Sequence, residues 1–224
     1  MLAVAKRTVI NPVRLEASVC RDSFFDFLVR FWDEIIPEKL VLNWHIEYLC
    51  NEIQRVAERV IARQPCEANL VINISPGTTK STICSVMLPA WCWARDPTIK
   101  IICASYSHHL SLYLASQSRN LIAGQKFMRL FPEVELVEEQ KGLLITSRGG
   151  QRISTSVGGS ITGMHGHILV VDDPINPRQA VSEVQLQAAN DWLDRTLMTR
   201  KIDRTITPLI LIMQRLHQDD PTGH

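Results

Sequence analysis

The sequence lacks several features that would place it in a protein class at once. Its 224 residues carry a formal net charge of +1, so nucleic-acid binding cannot be inferred from overall charge and would need a local basic patch. Its six cysteines include no Cys-x-x-Cys pair and lie mostly in apolar surroundings, which is typical of reduced, buried thiols in a cytoplasmic protein. It contains no internal repeat and no low-complexity linker.

Targeting and membrane signals are also missing. No N-terminal stretch combines a charged start, an apolar middle and a small-residue cleavage site, so no signal peptide is predicted. The longest apolar segment, residues 83–94, is too short to cross a bilayer and contains Pro89. With 46% hydrophobic and 21% charged residues, the composition is that of an ordinary globular protein. Its length of 224 residues allows one large α/β domain or one domain with a small lid. We therefore expect no membrane partner.

The hydrophobic pattern predicts alternating helices and strands. Residues 1–40 are expected to form a helical and irregular extension, irregular over 1–20 and helical over 23–36, in front of one domain at 41–224. That domain is predicted to have helices at 44–63, 80–94, 108–123 and 181–198, and strands at 70–74, 99–105, 143–146, 152–156, 167–171 and 207–213. This order predicts an α/β fold whose mostly parallel sheet is covered by helices on both faces and binds ligands at the carboxyl ends of its strands.

The stretch LVINISPGTTKST at residues 70–82 carries the first half of a candidate nucleotide site. It begins as a buried strand, continues through a turn of small residues and ends in Lys-Ser-Thr. The turn would present backbone N–H groups and the Lys80 ammonium to phosphates at the start of the next helix. Ser81 would then supply a hydroxyl to Mg²⁺.

The stretch ILVVDDP at residues 168–174 carries the second half, an apolar strand that is closed by two carboxylates. Asp172 would complete the metal site, and Asp173 would orient a water. We expect the two strands to occupy adjacent positions in the sheet. Lys80 and the two aspartates would then converge on a magnesium triphosphate.

The first stretch departs from the phosphate-loop pattern G-x-x-x-x-G-K-[ST]. Ile74 and Thr79 occupy the positions of the two glycines, and only Gly77 relieves the turn. Alone, Lys-Ser-Thr after an apolar run is commonly a helix start with a solvated lysine. The acid-tipped strand farther along the chain favours a nucleotide site, because its order and spacing fit a P-loop sheet.

Three stretches, NISPGTTKST, GGSITGMHGHILVVDDP and ILIMQRLHQDDPTG, together resemble the ATPase half of the large terminase subunit of tailed bacteriophages. The resemblance runs from about Trp44 to the last residue. That family is the motor that pumps viral DNA into a preformed capsid. The resemblance implies a P-loop NTPase fold of the ASCE type and an enzyme that uses ATP and Mg²⁺ to move double-stranded DNA. DNA as the substrate depends on this resemblance alone.

The resemblance gives the motif residues roles by position. Lys80 would neutralise the β- and γ-phosphates, Ser81 and Asp172 would bind Mg²⁺, and Asp173 would position the attacking water. Gln214, at the end of the last strand and beside the phosphate loop in the sheet, would sense the γ-phosphate and couple hydrolysis to movement. Eight consecutive residues would contact the triphosphate: Ser75, Pro76, Gly77, Thr78, Thr79, Lys80, Ser81 and Thr82.

The resemblance also implies partners and a location. These are double-stranded DNA, the portal protein, the small terminase subunit and a ring of identical copies, with a monomer in isolation as the alternative, in the cytoplasm of an infected bacterial host. Family members usually continue into a nuclease domain with an RNase H-like fold, which this sequence does not contain, so no nuclease activity is expected. His217, Asp219 and Asp220 could suggest a metal cluster, but they match the family's segment after the last strand, and that interpretation is favoured.

Two features keep alternatives open. The arginine that would stabilise transition-state charge is not placed: Arg119, Arg148 and Arg152 are candidates, each with a solvated surface arginine as the alternative, and the last two could also belong to a DNA-facing loop. Trp44 lies where relatives have the segment that reaches the adenine, with a core tryptophan as the alternative. A helicase-like P-loop ATPase and a nucleotide-binding interaction module with little hydrolysis remain the rival functions.

Overall fold

Seven strands form one sheet in the computed structural model, which describes residues 11–224. The sheet order is β1-β7-β6-β2-β5-β4-β3; the pairs from β1 to β5 are parallel, and those from β5 to β3 are antiparallel. The mostly parallel sheet is therefore confirmed. The strands are β1 (Leu70–Asn73), β2 (Lys100–Ser105), β3 (Leu136–Gln140), β4 (Leu143–Thr146), β5 (Gln151–Ser156), β6 (Ile168–Asp172) and β7 (Leu209–Met213).

Helices cover both faces of the sheet. The α-helices are α1 (Pro12–Asp22), α2 (Phe24–Phe31), α3 (Trp44–Ile61), α4 (Leu88–Arg95), α5 (His108–Ile122), α6 (Gln125–Leu130) and α7 (Glu183–Trp192). The helix after β1 begins at Lys80 and passes through a π-helical segment, Thr82–Met87, before it continues as α4. A second π-helical stretch, Leu193–Leu197, follows α7, and short 3₁₀ turns lie at Trp32–Glu34 and Met198–Arg200. No helix in the described residues is long and apolar enough to span a membrane.

Side chains that alternate along the central strands build two separate cores. Ile101 and Cys103 of β2 point into a core shared with α1 to α4, whereas Ile102 and Ala104 point into a second core shared with α7. This alternation follows from the two-residue period of a strand, and burial on both sides is why these strands have nearly continuous apolar sequences. Apart from half-buried Cys66, the cysteines are buried and free, as the sequence indicates.

The N-terminal region corrects one expectation. Part of the stretch expected to be irregular forms α1; the rest, residues 1–10, lies outside the described residues. The Asn11 side chain accepts hydrogen bonds from the backbone N–H groups of Val13 and Arg14, which caps the helix, and the helix buries Ala17 and Cys20. The sequence pattern missed α1 because its apolar stripe is narrow. It also missed α6 and β3.

The position of β1 corrects two further expectations. Within residues 11–224, β1 is an edge strand that pairs only with β7, and Val71 is 47% exposed, so it is not a buried strand. β7 lies between β1 and β6, so the phosphate-loop strand and the acid-tipped strand are not adjacent. The insertion of β7 does place Gln214, which follows that strand, next to the turn after β1, as expected.

Candidate functional site

The turn between β1 and the following helix is tight and contains two residues in the left-handed conformation. Gly77 and Thr79 both have positive φ, at 77° and 63°. Thr79 stands where the phosphate-loop pattern has glycine, yet it adopts the left-handed conformation that usually favours glycine, at a cost of about 1–3 kcal/mol. The Thr78 hydroxyl donates to the Ser75 carbonyl at 2.7 Å. The missing glycine therefore does not prevent the loop conformation.

Lys80, the first residue of the helix, forms an ion pair across β7 with the acid-tipped strand. Its Nζ lies 2.6 Å from Oδ1 of Asp173, and the exposed fractions of the two side chains are 6% and 32%. Asp173 leaves β6 with a φ of 46°, which is unusual for a residue other than glycine. Because the lysine side chain is long, it bridges the additional strand. Lys80 is thus a buried, paired cation and not a solvated lysine at a helix start.

Asp172 is almost fully buried beside this pair. Its Oδ2 accepts a hydrogen bond from the Ser85 hydroxyl at 2.9 Å, while its Oδ1 has no hydrogen-bond partner among residues 11–224. Burial raises the pKa of Asp172 to about 6; the nearby Ser81 hydroxyl lowers the pKa, the charge of Asp173 raises it, and Ser85 and Lys80 lower it. A buried carboxylate oxygen without a partner, next to a serine hydroxyl, fits an oxygen-binding cation such as Mg²⁺.

Gln214 connects the end of β7 to the Asp173 carboxylate. Its backbone N–H points to Oδ1 of Asp173 at 3.4 Å, and the preceding Met213 carbonyl accepts from the Ile74 N–H at 3.1 Å. The structure therefore brings together the ends of β1, β6 and β7. Gln214 is half-buried at this junction.

A groove of about 490 Å³ extends from the loop along β1 towards α3. Ser75 and Thr78 line one end, and Trp44 and Tyr48, which are 77% and 60% exposed, line the other. The alternative of a core tryptophan at Trp44 is wrong, because the apolar face of α3 begins at Ile46 and leaves Trp44 outside it. Trp91 and Trp93, in contrast, are fully buried.

None of the three candidate arginines lies at this site. Arg148 is in the turn before β5, at the amino end of the parallel strands and so at the opposite end of the sheet. Arg119 is in the last turn of α5, roughly 16 Å along the helix from its start. Arg152 is fully buried on β5, so it is neither a solvated surface arginine nor part of a DNA-facing loop.

Sequence reasoning overlooked Arg215, which follows Gln214 directly. Its guanidinium donates to Oδ2 of Asp220 at 3.2 Å and to the carbonyls of His217 and Gln218. The buried Asp220 carboxylate also accepts from backbone N–H groups of the same segment, and these hydrogen bonds lower its pKa against the opposing effect of burial. Asp220 thus holds the segment after β7 in its turn conformation. This structural role explains an aspartate that could otherwise suggest a metal cluster with His217 and Asp219.

The sheet order and the lysine-bearing turn define an α/β fold of the P-loop NTPase type, in which one strand separates the phosphate-loop strand from the acid-tipped strand. The crystal structure of the HK97 bacteriophage large terminase has a similar fold, with a TM-score of 0.59 over 91% of this chain. The two sequences are 13% identical, and the chain spans 40% of the length of that protein. No protein-family model matches the sequence, and no curated protein matches it significantly.

Asp172→Asn should stabilise the protein without Mg²⁺ or nucleotide at pH 7, by up to about 3 kcal/mol. The pKa of the wild-type carboxyl is raised from 3.8 to about 6, so between these pH values the folded state binds more protons than the unfolded state. Its contribution to the free energy of unfolding is therefore present at low pH and lost as pH rises towards and above 6. Urea unfolding at pH 7 and pH 4 measures the difference, which should largely vanish at pH 4.

Asp33→Asn is the matched control, because the Asp33 side chain is 79% exposed. It should leave the free energy of unfolding nearly unchanged at both pH values. A loss of stability at pH 7 in Asp172→Asn would contradict the burial argument. It would show that the charged carboxylate stabilises the empty site.

Proposed function

We propose that this chain is the ATP-hydrolysing motor domain of a terminase-type protein, which couples hydrolysis of Mg-ATP to translocation of double-stranded DNA. One observation carries the proposal: Lys80, Asp172 and Asp173 meet at the carboxyl end of the sheet, in a fold similar to that of a phage large terminase. Phosphate-binding lysines and metal-binding acids occupy this position in P-loop enzymes.

The loop and helix start would bind the triphosphate. Backbone N–H groups of Ser75 and of residues 77–79, together with the Lys80 ammonium, would contact the phosphate oxygens, helped by the N-terminal end of the helix dipole. Ser81 and Asp172 would hold Mg²⁺. When bound, Mg²⁺ neutralises charge on the β- and γ-phosphate oxygens.

Asp173 would change partners when the nucleotide binds. The phosphates compete with its carboxylate for Lys80, and the carboxylate released from the ion pair can hold a water in line with the γ-phosphorus. That water attacks the phosphorus, and the bond to the β-phosphate oxygen breaks to give ADP and phosphate. Because the Gln214 N–H points to the same carboxylate, a change at Asp173 reaches the end of β7 and the Arg215 segment.

The groove along β1 would receive the nucleoside. It is continuous with the loop, and exposed aromatic rings of Trp44 and Tyr48 offer stacking surfaces for a base. Calorimetry with ATP and with inorganic triphosphate tests this assignment. A base held in the groove makes ATP bind more tightly than the triphosphate, and equal affinities would contradict it.

We also propose that the chain works in a ring of identical copies. Arg215 is engaged in its own segment and Arg152 in the core. A neighbouring copy in a ring on the capsid would therefore supply the arginine that stabilises transition-state charge. Double-stranded DNA, the portal protein and the small terminase subunit would be the partners, in the cytoplasm of an infected bacterium.

The decisive experiment measures nucleotide binding and turnover separately. We expect Mg²⁺-dependent ATP binding by calorimetry, slow hydrolysis by the isolated chain and faster hydrolysis when double-stranded DNA is added, with stimulation that decreases as salt increases. Binding without turnover, with or without DNA, would favour the nucleotide-binding interaction module, for which the engagement of Arg152 and Arg215 in other contacts is the supporting observation. No binding at all would refute both functions.

A further inference from the structure

Arg152 is a buried cation that the proposed mechanism does not use. It is fully buried on β5, and no carboxylate in the described part of the chain lies within ion-pair distance. Burying a charge without a counterion costs several kcal/mol, and an apolar side chain of similar volume would avoid that cost. Burial accordingly lowers the pKa of Arg152. Its contacts must explain why a cation occupies this place.

Those contacts lead to the π-helical segment. Arg152 Nη1 donates to the Ser154 hydroxyl at 2.5 Å, and Nη2 donates to the Ser85 carbonyl at 2.8 Å. In a regular α-helix the Ser85 carbonyl would accept from the residue four positions on, which is Pro89 and has no N–H. Arg152 therefore supplies a donor in place of the one that Pro89 lacks.

Ser85 faces the candidate metal site with its other polar group. Its hydroxyl donates to Oδ2 of Asp172 at 2.9 Å, and its carbonyl, besides Arg152, is 3.4 Å from the Ser118 hydroxyl. Ser85 thus links Arg152, which binds its carbonyl, to Asp172, which binds its hydroxyl. The second oxygen of Asp172, Oδ1, has no partner in the described residues.

We propose that Arg152 is a positioning residue for the metal-binding carboxylate. It holds the Ser85 carbonyl, and with it the π-helical segment, where the Ser85 hydroxyl restrains Oδ2 of Asp172 and leaves Oδ1 free for the cation. The consequence for turnover rests on the proposed function, whereas the restraint on the carboxylate does not. Removal of partners that orient a metal ligand typically costs 10–100-fold in metal affinity or activity.

The test uses Arg152→Gln, Ser85→Ala and the double variant, and measures the Mg²⁺ concentration that gives half-maximal ATP binding. Each single variant should raise that concentration about 10–100-fold, while the affinity for ATP without Mg²⁺ stays the same. The double variant should be no worse than Ser85→Ala, because both changes act through one contact. Arg152→Lys, which keeps a donor, should restore most of the Mg²⁺ affinity.

Ser111→Ala is the matched control. Ser111 is equally buried and donates to a backbone carbonyl, that of Cys103, away from Asp172. It should lower the free energy of unfolding without a change in the Mg²⁺ requirement. A wild-type Mg²⁺ requirement in Ser85→Ala, or additive effects in the double variant, would overturn the proposal and leave Arg152 a purely structural residue.

A second readout separates this proposal from the proposed function. Crystal structures of two variants without nucleotide show the orientation of the Asp172 carboxylate. We expect this carboxylate to have rotated in Ser85→Ala and to keep its wild-type orientation in Arg152→Lys. If wild-type protein binds no nucleotide, the proposed function fails, and these structures still decide the positioning role. An unmoved carboxylate in Ser85→Ala would refute the role, and Ser85→Ala and Arg152→Lys answer the question even if Arg152→Gln does not fold.

Discussion

Lys80→Ala should lower the rate of Mg-ATP hydrolysis by about 10³-fold or more and weaken nucleotide binding. The lysine is the buried cation at the helix start, and removal of one preorganised charged donor from a transition state typically costs 10²–10³-fold. Loss of ground-state binding adds to that effect. Initial rates over a range of ATP concentrations give kcat and KM separately, so the two losses can be assigned.

The control for this variant is Lys39→Ala, at an exposed lysine outside the site. It should hydrolyse ATP at the wild-type rate. Unfolding in urea must accompany the kinetics, because Lys80→Ala leaves Asp173 without its ion-pair partner. A folded Lys80→Ala protein that keeps wild-type turnover would remove the loop after β1 from the active site.

Asp173→Asn should separate binding from chemistry. Turnover should fall about 10²–10⁴-fold, because an amide does not orient and activate a water as a carboxylate does. Nucleotide affinity should stay the same or increase, since Lys80 no longer has a charged competitor 2.6 Å away. Calorimetry with Mg-ATP and a phosphate-release assay on the same preparation measure the two effects.

Asp219→Asn matches the chemical change at a side chain that is 68% exposed. Neither binding nor turnover should change there. If Asp173→Asn instead bound ATP much more weakly at full turnover, the carboxylate would act in binding and not in water activation. The proposal that Lys80 leaves the Asp173 carboxylate for the phosphates would then be wrong as well.

Local sequence patterns were sufficient for the central part of the fold. β2, β6 and β7 have continuous apolar sequences because both faces of these strands are buried, and α3 and α5 have helical periodicity because one face is. The convergence of Lys80 with Asp172 and Asp173 was also predictable. Motif residues at the carboxyl ends of parallel strands share one edge of the sheet, whatever the order of the strands.

The order of the strands and the burial of individual side chains were not predictable in this way. Nothing local in β7 says that it inserts between β1 and β6, since that order depends on contacts between segments far apart in the chain. Trp44 is exposed although tryptophan favours cores, and Arg152 is buried although arginine favours solvent. Pro89 was the available signal for Arg152, because a proline inside a helix leaves a carbonyl that needs another donor.

The edge position of β1 has a consequence for biosynthesis. Its sheet neighbour, β7, is translated more than a hundred residues later. The Leu209 N–H, for example, bonds to the Asn69 side chain across a separation of 140 residues. While the ribosome is still making the intervening chain, β1 cannot dock, and the loop that follows it has no fixed frame. Pairing across so large a separation is slow. The candidate site thus cannot form before Leu209 has been made, and chains that stop before that residue would lack the strand that holds β1 in the sheet.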